Sequence, residues 1–119
     1  MNTLRNRVQL IGHLGADPEV KNTQKGSKMV NLRLATTERY PSNGTWKEDT
    51  QWHNLTMWKK LADKAENDLH KGNLVMVEGK LLHHKYADAQ GQTKYFTEVK
   101  VSNFINMDKR QSGRQEKKV

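Results

Sequence analysis

Apolar and polar residues alternate along most of this chain, which is the pattern of strands that bury one face. The alternation is clearest in the segment VNLRLATTER, where Val30, Leu32 and Leu34 form an apolar face while Arg33 and Arg39 lie on the opposite face. Four other segments alternate in a similar way. The pattern therefore predicts five strands, at residues 7–14, 30–39, 51–58, 74–86 and 94–105.

One segment, residues 59–73, has the spacing of an amphipathic helix instead. Leu61, Ala65 and Leu69 recur at intervals of four residues and form one apolar stripe. Gly72 stands where a C-terminal cap is expected. A helix is therefore predicted between the third and fourth strands.

Glycine-containing segments predict the turns between strands. The sequence PSNG at residues 41–44 favours a turn, followed by a polar loop over 45–50, and DAQGQ at residues 88–92 is typical of a hairpin tip. The order of elements predicts a mainly β protein, a five-stranded Greek-key OB-fold barrel in which the helix closes one end. Other small β-barrels with an inserted helix fit the same order.

The third predicted strand, QWHNLTMW, carries a tryptophan at each end of its polar face. Alternation puts Trp52 and Trp58 on one face, about 20 Å apart at about 3.3 Å per residue, with small polar residues between them. His53 shares the opposite face with Leu55 and Met57. Because the apolar face already supplies a core, the two tryptophans are predicted to face outward.

Further aromatic residues are interleaved with cations. Lys80 and Tyr86 share one face of the fourth strand with Lys85 beside them, and Tyr40 follows Arg39 at the end of the second strand. Single-stranded nucleic acid needs such a surface, because each unpaired base has a ring face to stack and each phosphate a charge to neutralise. We expect these rings to face outward together with the two tryptophans.

Composition agrees with a nucleic-acid partner. The chain has 119 residues, a net charge of +8 and no cysteine. Five basic residues and one acidic residue in 109–119 give that segment a net +4, which predicts a short basic disordered tail after a domain spanning 1–108. No membrane span or secretion signal is predicted, so a cytoplasmic, nucleoid-associated protein is expected.

No arrangement of residues predicts catalysis. His83 and His84 are adjacent, so in a strand they face opposite ways and cannot share one metal ion without distortion. The segments GADPE and GNLVMVEG lack the glycine spacing of a phosphate-binding loop. The chain is predicted not to be an enzyme, and no cofactor or metal is expected.

Several runs resemble the bacterial single-stranded-DNA-binding protein family, in order and with matching spacing, from about Arg7 to Met107. They are VQLIGHLGADPEV, NLRLATTER, TQWHNLTMWKKLAD, LHKGNLVMVEGKL and KYFTEVKV. The resemblance implies an OB-fold, assembly as a homotetramer, and single-stranded DNA wrapped over the outer surface in replication, recombination and repair. It also implies that His53 lies near subunit contacts. The residues predicted to contact DNA are Tyr40, Trp52, Trp58, Tyr86, Arg33, Arg39, Lys80 and Lys85.

The sequence departs from this family in two respects. Leu82 and His84 stand where many relatives have arginine, so weaker phosphate contact is expected there. Family members typically end in a long tail with an acidic tip that recruits replication and repair enzymes, whereas this sequence stops at QEKKV, which leaves such partners open. Two other functions stay open: an RNA-binding OB domain, and a primosomal accessory protein that uses the rings as a protein interface.

Overall fold

Long strands and one short helix make up residues 5–108, the part of the chain that this computed structural model describes. The predicted basic tail at 109–119 lies outside the described residues, as do residues 1–4 of the predicted domain. The elements are β1 (Val8–Leu14), β2 (Glu19–Asn22), β3 (Lys28–Ser42), β4 (Thr45–Trp58), α1 (Lys60–Asp68), β5 (Leu74–Ala87) and β6 (Thr93–Asn106).

Five of these strands close into a barrel in the order β1, β5, β6, β4 and β3, with β3 pairing back to β1. The pairing of β4 with β6 is parallel and the other pairs are antiparallel. This confirms the predicted mainly β, five-stranded OB-fold barrel with one helix between its third and fourth strands. The prediction missed β2, because its four residues EVKN are all exposed and do not alternate.

Barrel closure depends on a close approach between β1 and β3 at Gly12. A Cβ atom at Gly12 would lie 2.1 Å from the carbonyl oxygen of Ala35, a distance that no side chain tolerates. Glycine at this position therefore lets the first and second barrel strands meet. Gly79 has the same role at the bulge in β5, where a Cβ atom would lie 2.2 Å from the carbonyl oxygen of Lys100.

Two hairpins extend beyond the barrel. The predicted loop at 45–50 is wrong: Asn43 and Gly44, with φ angles of 51° and 80°, form a two-residue turn, and these residues continue β4. Positive φ at both central positions gives a turn whose twist matches that of paired strands, so the pairing runs to the tip. We call residues 37–50 the first arm and residues 83–97, which include the predicted tip at 88–92, the second arm.

The helix is shorter than predicted and ends at Asp68. Leu69 already has an extended backbone, and Gly72 lies in the following turn with a φ of 90° rather than at the helix cap. The backbone N–H of Gly72 donates a hydrogen bond of 2.8 Å to the carbonyl oxygen of Leu14, which ties this turn to β1. The glycine is therefore used by the loop that returns to the barrel.

The core fills the barrel and the space beneath the helix. Ala62 and Ala65 are fully buried, whereas Leu61 is only partly buried, because the two alanines let the helix backbone approach the barrel end closely. The remaining buried apolar residues are Leu14, Val30, Leu32, Leu34, Leu55, Met57, Leu69, Val75, Val77, Val99, Val101 and Phe104.

Candidate nucleic-acid interface

Strand register joins alternate side chains of β3, β4, β6 and β5 into one surface outside the barrel. Arg33 lies opposite Asn54, Thr56 opposite Lys100, and Lys100 opposite Lys80, so the same side of all four strands faces away from the core. We call this surface the outer face. Its members are Arg33, Trp52, Asn54, Thr56, Trp58, Lys80, His84, Tyr86, Phe96, Glu98 and Lys100.

Trp52 presents a ring to solvent and has a specific support. Its side chain is 50% exposed, and the guanidinium carbon of Arg33 lies 5.1 Å from the ring centroid, within cation–π range. The opposite contact is Gly15, where a Cβ atom would lie 2.5 Å from Cζ3 of the indole. Glycine therefore makes room for the ring, a role that strand periodicity does not reveal.

Trp58 lines a groove of about 610 Å³ at the end of the outer face nearest the helix. The groove has an apolar side formed with Leu61 and a cationic side formed by Arg5, Lys80 and Lys100. Sequence analysis predicted Trp58 and Lys80 but missed the other two cations. Lys100 alternates outward in the last predicted strand and could have been found, whereas Arg5 precedes the first strand and carries no such signal.

A carboxylate lies at the centre of the outer face. The side chain of Glu98 is 13% exposed; it accepts a hydrogen bond from the hydroxyl of Thr56, and its Oε2 lies 2.6 Å from Nε2 of His84. Thr56 is 5% exposed, so this member of the polar row between the two tryptophans is buried rather than open to a ligand. The His84 ring lies 6.2 Å, centroid to centroid, from Phe96, which sequence analysis also missed.

The expectation that all the predicted rings face outward together is wrong for Tyr40. Alternation along β3 puts Tyr40 on the side of Leu34, opposite to Arg33, and its ring is 46% exposed because the first arm has no core beneath it. Lys85 is displaced in the same way, since it pairs with Tyr95 on the side of the second arm opposite to Tyr86. The apolar side of a strand is buried only where the barrel covers it.

Three other predicted residues occupy distinct environments. Tyr86 is 53% exposed on the second arm, on the side of His84. Arg39 points to the same side as Arg33, but its Nε lies 3.7 Å from the Glu48 carboxylate across the first arm, so part of its charge is compensated locally. His53 is half-buried.

The sequence profile of the single-strand binding protein family matches residues 5–107. The chain is a member of the single-strand binding protein family. A solved structure entitled "Plasmodium falciparum SSB complex with ssDNA" superimposes with a TM-score of 0.79 at 31% sequence identity, covering 87% of this chain and 95% of that chain. These matches confirm the predicted family, and with it single-stranded DNA binding on an OB-fold.

Proteins of the single-strand binding protein family bind DNA rather than catalyse reactions, which agrees with the chemistry of this chain. Within residues 5–108, no group of three or more His, Asp or Glu side chains is arranged to hold a metal ion. The single described helix is too short and too polar to cross a membrane. In this family member, the outer face is the surface that combines exposed rings with cations.

Proposed function

We propose that this protein binds single-stranded DNA without base preference along the outer face, and that it protects and organises unpaired strands in replication, recombination and repair. The observation that carries the proposal is the pairing of exposed indoles with cations on one continuous surface, Trp52 with Arg33 and Trp58 with Lys80. Stacking provides about 1 to 3 kcal/mol per base whatever the base is, and phosphate contact adds charge neutralisation.

Each tryptophan provides a different kind of contact. Half of the Trp52 surface is open and its position is fixed by Gly15 and Arg33, so it offers a ring face that needs little reorganisation before a base stacks on it. Trp58 is half-buried in its groove, where an inserted base would contact the ring while its phosphate meets Lys80 or Lys100. The strand would therefore run from one groove to the other across β4.

The arms extend this path. We assign Tyr40 and Arg39 to contacts along the first arm, and Tyr86 and Lys85 to contacts along the second arm. Because Tyr40 and Lys85 lie on the sides opposite to Trp52 and Tyr86, a strand that touches all four residues must pass around the arms. Wrapping, rather than a straight groove, is the consequence.

Assembly as a homotetramer is also part of the proposal. Nε2 of His53 lies 2.8 Å from the hydroxyl of Thr36, at the point where β3 and β4 leave the barrel. A half-buried side chain in this position is suited to packing against a second subunit. Light scattering at micromolar concentration is expected to report four copies; a stable monomer would favour an accessory role for this OB-fold instead.

The segment 109–119 is proposed to act as a basic tail on the domain. Its five cations can add phosphate contacts but cannot dock on basic pockets of partner enzymes. Few replication or repair enzymes are therefore expected in a pull-down after nuclease treatment. Enzymes that persist after nuclease treatment would contradict this role of the tail.

Titration with oligothymidylate of increasing length, following tryptophan emission and particle mass together, tests the function. We expect tight binding to single strands, much weaker binding to duplex, and weaker binding by Trp52→Ala and Trp58→Ala variants that keep the wild-type thermal midpoint. Unchanged affinity in both variants would remove the stacking mechanism. Competition with an RNA of equal length separates a DNA-binding role from an RNA-binding role.

A further inference from the structure

We propose that Phe96 and His84 form an additional base-stacking platform at the centre of the outer face, and that Glu98 is the positioning residue that orients the His84 ring. The inference rests on the proposed function. The two rings lie 6.2 Å apart, centroid to centroid, with an interplanar angle of 27°, which is within the range of offset-stacked aromatic pairs. Neither Phe96 nor Glu98 was predicted from the sequence.

Phe96 has no role in the core. Its side chain is 41% exposed, whereas Phe104 on the same strand is 4% exposed and fills the barrel. A single exposed phenylalanine is ordinary, so exposure alone would mean little. Phe96, however, lies between two grooves of the outer face, one of about 330 Å³ that it shares with Trp52 and one of about 480 Å³ that it shares with Arg33.

His84 is held in place by a chain of hydrogen bonds. Its Nε2 lies 2.6 Å from one oxygen of Glu98, and the other oxygen of Glu98 accepts the hydroxyl proton of the buried Thr56. Because Glu98 is itself only 13% exposed, it cannot swing away easily. The imidazole is thus oriented before DNA arrives, and little side-chain entropy is lost when a base stacks.

The platform fills a gap in the path of the strand. Trp52 lies on one side of Phe96, and Tyr86 lies two residues beyond His84 along β5. A base leaving Trp52 can therefore stack on the exposed face of Phe96, where the His84 ring extends the stack, before the strand reaches Tyr86. His84, which replaces an arginine common in relatives, would act here as a ring rather than as a fixed positive charge.

The chain supplies a matched control for the first test. Tyr95 is 73% exposed on the same strand as Phe96 but faces the other side of the second arm. Phe96→Ala is expected to weaken oligothymidylate binding by about fivefold or more, the lower end of one stacked base. Tyr95→Ala is expected to weaken it less. Equal losses in the two variants, or no loss in Phe96→Ala, would overturn the platform.

A second test asks whether His84 acts as a ring. His84→Phe keeps a stacking surface and should retain more affinity than His84→Ala. Loss of His84 and Phe96 together should cost less than the sum of the single losses, because the two side chains form one platform. Additive losses, or a His84→Phe variant as weak as His84→Ala, would contradict it. Thermal midpoints of all variants identify any that fail to fold.

Glu98 is tested with two variants that remove the same charge. Glu98→Gln keeps a hydrogen-bond acceptor for His84 or Thr56, whereas Glu98→Ala keeps none, so the glutamine variant should bind DNA more tightly than the alanine variant. In a His84→Ala background this difference should disappear. A difference that persists without His84 would mean that Glu98 does not act through the ring.

The outcome for wild-type protein separates this inference from the proposed function. If wild-type protein does not bind oligothymidylate, the proposed function fails. If it binds, and Trp52→Ala weakens binding while Phe96→Ala does not, only the platform fails.

Discussion

The guanidinium carbon of Arg33 lies 5.1 Å from the centroid of the Trp52 ring, although the two residues are not direct partners in the sheet. Arg33 pairs with Asn54, and Trp52 pairs with Ala35, so the contact runs diagonally across β3 and β4. Diagonal neighbours on one face of a sheet are within reach of long side chains. The contact gives the stacking residue and a phosphate-binding charge a fixed mutual position.

Arginine at position 33 is expected to contribute more than its charge. Lysine lacks the planar guanidinium that lies against an aromatic ring and binds a phosphate through two hydrogen bonds. Arg33→Lys should therefore lower DNA affinity while leaving its salt dependence unchanged. Arg33→Met should also make the slope of log affinity against log salt shallower, by about 0.7 if one phosphate contact is lost. Fluorescence titration over a range of salt concentrations measures both quantities. Identical slopes for the two variants would mean that Arg33 neutralises no phosphate.

Gly15→Ala is expected to weaken DNA binding by displacing Trp52. The added methyl group would lie 2.5 Å from the indole, so the ring must move while the backbone of β1 stays in place. Affinity for oligothymidylate and the quenching of tryptophan emission should both fall. The thermal midpoint of the variant checks that the barrel is still folded.

A double variant tests the cause of this effect. In a Trp52→Ala background no indole remains to be displaced, so adding Gly15→Ala should change affinity little. A further large loss in the double variant would show that Gly15 acts on the barrel rather than on the ring.

Local alternation predicts the barrel well because each buried strand has one face against the core. It fails where that condition ends. Residues 45–50 are all polar apart from Trp46, so they read as a loop, yet pairing from the Asn43–Gly44 turn makes them a strand. The same loss of a core beneath the first arm explains why Tyr40 lies on the side opposite to Arg33 although both were predicted to contact DNA.

The candidate site was predictable only in part for a related reason. Trp52 and Trp58 could be identified because both lie within one strand, where a period of two decides the face. Contacts between residues distant in sequence, such as Trp52 with Gly15 or His84 with Glu98, depend on strand order and register. These quantities are properties of the closed barrel, and no short segment contains them.

Lys28 is expected to make folding stability depend on pH on the alkaline side. Its ammonium group lies 2.8 Å from the Asp63 carboxylate and also binds Glu66, so β3 is tied to the helix. The hydrogen bond to Asp63, followed by the one to Glu66, raises the pKa of Lys28 above its ordinary value of 10.5. A raised pKa means that the folded state holds this proton more tightly than the unfolded state does. The resulting stabilisation is fully present below pH 10.5 and is lost as pH rises through the folded-state pKa.

Urea unfolding as a function of pH measures this contribution. Wild-type protein should lose more stability above about pH 10.5 than Lys28→Met, because the variant has no proton to release at this position. Lys71→Met, in the turn after the helix, is the control and should follow the wild-type curve. Parallel curves for wild-type protein and Lys28→Met would mean that the ion pairs do not favour folding.

The cations around the Trp58 groove are expected to set the salt dependence of DNA binding. Lys80 and Lys100 lie opposite each other on the outer face, and both line this groove. Each phosphate that they neutralise releases counterions, so Lys80→Ala and Lys100→Ala should each make the salt slope shallower by about 0.7. Lys25→Ala, in the exposed loop between β2 and β3, should leave the slope unchanged. Slopes measured with oligothymidylate long enough to cover the outer face decide between these outcomes. If both groove variants keep the wild-type slope, the strand does not enter the Trp58 groove, and its path must leave the outer face before Trp58.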